Sequence, residues 1–170
     1  MTICLSASAT CAISTVTYET GAAYNETTIL EGGSGQRAGL IGEMAFAQAL
    51  AEQRITYQHL GGDKQHHDFL IGDVKVDVKA KQRNVPPSYD YDAHVTQSIK
   101  DADCRLYVFV SVTNGQPTLM GWCGKDEFWS KAKMVLEGEP DERGKPERAN
   151  AGKVKYSSLR KMDSLWPLLR

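Results

Sequence analysis

Residues 66–81 read HHDFLIGDVKVDVKAK. Two β-prone runs, Asp68–Ile71 and Val74–Ala80, flank the pair Gly72-Asp73. A two-residue turn with Gly at its first position suits a type II′ hairpin. Such a turn sets Ile71 opposite Val74, Leu70 opposite Lys75, Phe69 opposite Val76 and Asp68 opposite Asp77. Side chains alternate between the faces of a strand. One face then carries Phe69, Ile71, Val74, Val76, Val78 and Ala80, with His67 its only polar member. The other carries His66, Asp68, Lys75, Asp77, Lys79 and Lys81, with Leu70 its only apolar one. The turn alone fixes this register, and it also sorts apolar from charged residues, as a half-buried hairpin requires.

The register brings two carboxylates face to face, with Cβ atoms about 4.5–5.5 Å apart. Like charges so placed are destabilising unless something neutralises them. A divalent cation does so, and Mg²⁺ favours one or two carboxylates plus water and phosphate oxygens. Lys79 lies two residues beyond Asp77 on the same face, within reach of a phosphate. A cation and a lysine around a phosphodiester are the parts its hydrolysis needs.

Outward from the hairpin, Arg37 to about Arg54 reads as a helix. Leu40, Ile41, Met44, Ala45, Ala47 and Ala51 recur at helical spacing, with Phe46 and Leu50 as a second apolar row. Glu43 is an acid near its start. A short strand is expected at 55–59, a loop at 84–92 and a short helix around Gln97. Cys104–Thr113 reads as a central strand, Asn114-Gly115 as a turn and Thr118–Cys123 as a strand. A helix is expected over Asp126–Leu136, a loop over 137–152, a strand at Lys153–Tyr156 and a terminal helix over Ser158–Leu169. This order of elements predicts an α/β (α+β) domain, a mixed sheet flanked by helices.

The chain has 170 residues and a net charge of -1. That length predicts one domain over 36–170, with 1–35 as an arm or extra strands. The charge is uneven. The first 36 residues hold no Lys or Arg, Lys75–Arg83 holds four basic residues and the last 30 hold eight. Cys4, Cys11, Cys104 and Cys123 form no CxxC pair, which predicts reduced thiols in a cytoplasmic protein. No apolar run reaches the roughly 20 residues of a membrane span, so no membrane partner is expected.

Asp68 followed by Asp77-Val78-Lys79 resembles the bipartite signature of the PD-(D/E)XK nuclease superfamily. Glu43, in Gly42-Glu43-Met44-Ala45-Phe46, matches the acid that recurs on the helix before that hairpin. His67 stands where the superfamily's name places Pro. The resemblance covers roughly residues 37–136. It implies a restriction-endonuclease-like core and a hydrolase of DNA phosphodiester bonds dependent on Mg²⁺ or Mn²⁺. Asp68, Asp77, Glu43 and the backbone carbonyl of Val78 would be metal ligands, and Lys79 would orient or activate the attacking water. Lys81 and Arg83 would contact the DNA backbone. A homodimer would allow both strands to be cut. An endonuclease is the first expectation, though the residues are equally those of an exonuclease. The alternative is a non-catalytic nucleic-acid-binding or phage-type regulatory protein on the same fold.

Overall fold

The computed structural model describes residues 34–60, 67–141 and 144–170. The expected N-terminal arm, Cys4, Cys11 and His66 lie outside them.

The elements, in order, are helix α1 (Ser34–Glu52), β1 (Gln58–His59), β2 (Phe69–Ile71), β3 (Val74–Arg83), β4 (Asp92–Thr96), β5 (Leu106–Thr113), β6 (Gln116–Gly124), helix α2 (Lys125–Lys131), β7 (Lys133–Val135) and β8 (Ala151–Lys155). A five-stranded mixed sheet runs β1-β2-β3-β5-β6, and a three-stranded antiparallel sheet runs β4-β8-β7. The class is mixed α+β. No described helix is long and apolar enough to cross a membrane.

The hairpin has the register its turn dictates: Ile71 pairs with Val74, Leu70 with Lys75 and Phe69 with Val76. Gly72 takes the positive φ (56°) that an L side chain resists. Regular pairing stops at Phe69; the next amide, that of Asp68, donates to the Val76 carbonyl at 2.9 Å. β3 then pairs in parallel with β5, Asp77 beside Tyr107 and Lys79 beside Phe109. β5 turns at Asn114-Gly115, both at positive φ, into antiparallel β6.

Two cores lie on opposite faces of the large sheet. The first packs α1 against it through Ala38, Phe46, Leu50, Phe69, Val76, Val78, Val108, Val110 and Val112. Its deepest helical residues are Phe46 and Leu50, while Leu40, Met44 and Ala45 are half-buried and Ala51 is exposed. The second apolar row is therefore the more buried one, while the first is mixed: Ala47 is buried and Ala51 is exposed. Gly42 lets α1 come close: a Cβ there would stand 2.7 Å from that of Ala80. The second core joins Tyr107, Phe109, Met120 and Phe128 to Ala93, Val95, Val154 and Tyr156. It fastens the small sheet and α2 over the other face.

Three expectations need correction. The helix read over Asp126–Leu136 stops at Lys131; Ala132 is extended (ψ 128°) and Lys133–Val135 is an edge strand. Gly152 of β8 explains the stop, because Trp129 and Ala132 close to within 2.7 and 2.9 Å of where its Cβ would be. A continued helix would turn away from that contact. The terminal helix read over Ser158–Leu169 is two short 3₁₀ turns, Met162–Ser164 and Trp166–Leu168, after a third at Tyr156–Ser158, pinned where the Trp122 indole donates to Ser164 Oγ (3.0 Å) and the Lys161 carbonyl (3.2 Å). The strand β4 has no counterpart in the sequence reading; it completes a second sheet where one sheet is expected.

Candidate functional site

Asp68 precedes β2 and Asp77 lies on β3, on the face turned away from α1. Beside Tyr107 of β5, Asp77 is only 4% exposed, although the alternation alone suggests an open charged surface. The two carboxyl groups lie close enough for the charge of each to act on the other. Asp68 Oδ2 also accepts the Val78 amide at 2.7 Å, and Lys79 Nζ lies 2.6 Å from Asp77 Oδ1. Glu43 reaches in from α1 and is held by His59, whose Nε2 is 2.8 Å from Glu43 Oε2.

Burial, then the charges of Glu43 and Asp77, push the Asp68 carboxyl up from 3.8 to about 8, against the opposing pull of the Val78 amide and Lys79. Burial also raises Asp77, though Lys79 opposes it strongly. A carboxyl that holds its proton at neutral pH beside a second one is the signature of negative charge with too little compensation.

The structure thus brings Glu43, Asp68, Asp77 and Lys79 together. Val78 contributes its amide to Asp68, and its side chain is in the first core. Lys81 continues the same face of β3. Arg83 does not: it is 7% exposed, its guanidinium carbon sits 4.5 Å above the Tyr91 ring and it donates to the Asp92 carbonyl at 3.2 Å. The expected phosphate contact from Arg83 is corrected to a packing role, joining β3 to β4. Sequence reasoning misses His59. Its signal is there, since alternation across the strand at 55–59 turns one polar residue inward among apolar neighbours.

The donor set fits a divalent cation. Two adjacent carboxylates, with a third acid close enough to raise Asp68, would be relieved by two positive charges. As placed, no three His, Cys, Asp or Glu side chains among the described residues converge to hold an ion by themselves. Mg²⁺ asks for no such cage, since it takes one or two carboxylates and leaves its other positions to water and phosphate.

Beside this cluster a groove opens, lined on one wall by Lys79, Lys81, Gln82 and Asn84 and on the other by Asp141, Lys145, Glu147 and Arg148. Compared with protein-family models, with curated proteins and with solved structures, the chain matches none.

Proposed function

We propose that this chain is a metal-dependent nuclease, hydrolysing DNA phosphodiester bonds on a restriction-endonuclease-like core. The observation that carries the reading is the buried Asp77 with the Lys79 ammonium 2.6 Å away and the half-buried Asp68 carboxyl beside it. Burying two acids against one lysine costs stability unless a function retains them.

Asp68 and Asp77 would hold the cation, with Glu43 reaching it directly or through water and the Val78 carbonyl as a further ligand. Mg²⁺ or Mn²⁺, when bound, supplies Lewis-acid activation of water and charge for the phosphate. The chain's own residues supply the rest. His59 fixes Glu43 on the helix side. Asp68, raised by burial and by the charges of Glu43 and Asp77, would bind a cation as its carboxylate. Lys79, beside Asp77, is placed so that its ammonium would stabilise charge building on the phosphate oxygens. The burial of Asp77 keeps these groups in a poorly screened setting, which strengthens each such interaction.

The test is cleavage of supercoiled, linear, single-stranded and branched DNA with Mg²⁺, with Mn²⁺ and with EDTA. Cutting should require metal, and Asp77→Ala and Lys79→Ala should each lower it by at least about a hundredfold. Failure of the wild type to cut any DNA or RNA form, with no metal binding at the pair, dismisses the proposal. Cutting that survives both substitutions moves the site elsewhere.

A further inference from the structure

The groove beside the acid cluster has two walls of different origin. One is β3, through Lys79, Ala80, Lys81 and Gln82, with Asn84 just beyond its end. The other is the segment between β7 and β8, which the sequence presents as a charged loop. It is a built arm rather than a loose connection. The Gly138 amide donates to the Glu147 carbonyl at 2.9 Å, and the Glu147 amide donates to the Glu139 carbonyl at 2.8 Å. Asp141 Oδ1 accepts the Lys145 amide at 2.8 Å, and Asn150 Oδ1 accepts the Glu137 amide at 2.8 Å. Lys153 forms an ion pair with Glu147 and anchors the arm to β8. The floor between the walls is His94, Thr96, Phe109 and Tyr156.

The groove encloses about 620 Å³, within the roughly 300–1,000 Å³ of ordinary ligand clefts. Its acids are engaged within the protein: Glu147 by Lys153 and His94, Asp141 by the Lys145 amide. Lys145 and Arg148 are exposed and make no ion pair among the described residues. The arm wall therefore offers the Lys145 and Arg148 cations opposite Lys81 and the Asp77-paired Lys79, over a floor whose Phe109 and Tyr156 rings are buried and present little face for stacking. Lys79 belongs to both the groove and the acid cluster, so anything tracking the groove arrives at Asp77.

We infer that this groove threads one single-stranded polynucleotide by its phosphates, with Lys81 on one side and Lys145 and Arg148 on the other, and delivers it to the Asp68–Asp77 pair. The inference deepens the nuclease reading and rests on it for what happens at the pair, but not for the binding. A cleft of this volume holds a strand. A duplex, whose two strands stand apart across a major groove about 12 Å wide, would present a single phosphate ridge to one wall. Binding by phosphates without stacking is tolerant of sequence and sensitive to salt.

Binding of fluorescent single-stranded and duplex oligonucleotides of equal length, DNA and RNA, is measured by anisotropy in EDTA across a salt series. The variants are Lys145→Ala/Arg148→Ala, the charge-reversing Arg148→Glu, and Arg105→Ala/Lys161→Ala as an equal change of charge away from the groove. Single strands should bind at least about tenfold tighter than duplex. The groove double variant should weaken that binding on the order of tenfold and lower the salt slope by about 1.4, which is about 0.7 for each phosphate left without its cation. Arg148→Glu should weaken it further and the control should not. Equal or tighter duplex binding overturns the inference, as does a groove variant that binds no more weakly than the control. Threading without metal-dependent cutting retains the groove and removes the nuclease reading. Cutting by a protein whose groove variants bind normally does the reverse.

Discussion

At the residue scale the decisive group is Asp68. Its folded-state carboxyl is raised from 3.8 to about 8, so the native protein binds more protons than the unfolded chain between those values. The sign follows from linkage: unfolding free energy falls as pH rises through that window and levels off above it. Melting in EDTA should therefore show Tm declining from pH 5 to pH 8. Asp68→Asn removes the titration and should flatten the profile, raising Tm at pH 8 by roughly 5 °C. A pH profile unchanged by the substitution assigns the proton elsewhere. Mg²⁺ should restore stability to the wild type at pH 8 and do little for the variant. Much of this is legible in the sequence, because one Gly-containing turn fixes which residues oppose each other and thereby pairs Asp68 with Asp77. The burial is not legible. Alternation says only that Asp77 leaves the first core; it does not say that Asp77 is closed off from solvent beside Tyr107 of β5. Arg83 misleads for the same reason, since a basic residue continuing a charged face looks exposed until Tyr91 and Tyr156 are seen to cover it.

At the element scale, α1 and β3 are set at a distance that no side chain separates. Gly42→Ala would place a methyl 2.7 Å from the Ala80 Cβ, and neither backbone can retreat without moving the helix. The expected cost is about 2 kcal/mol, the usual range for overpacking a tight core, measured as a drop in urea midpoint at constant m-value. Because Glu43 is the next residue, the same shift withdraws the third acid, so metal affinity should fall together with stability. Gly42→Ala with unaltered stability would show that the helix has room to give. Periodicity locates α1, β3, β5 and β6, whose patterns are long. It fails for short elements. Lys133–Val135 continues the pattern of α2 in sequence, and only the close approach of Gly152 to Trp129 turns it into a strand. Asp92–Thr96 is five residues with one His in the middle, too brief to stand out beside Pro86 and Pro87.

At the scale of the whole molecule, both cores share β5, seven of whose eight residues are buried. Neither layer can leave without exposing one face of that strand. Unfolding should be a single transition, with tryptophan fluorescence (Trp122 and Trp166 in the first core, Trp129 against the second) superimposing on far-ultraviolet circular dichroism. Two separated midpoints would mean that the small sheet melts alone. The sharing also has a consequence for how the chain finds its fold. Val108, Val110 and Val112 serve the helix side, while Tyr107 and Phe109 serve the other. A slip of one residue exchanges the sides, sending rings into spaces cut for methyl groups and leaving voids where rings belong. β5 is thus a key that enters its lock in one orientation, and the alternation of ring and branch along it guards the placement of Asp77 and Lys79 on the neighbouring strand.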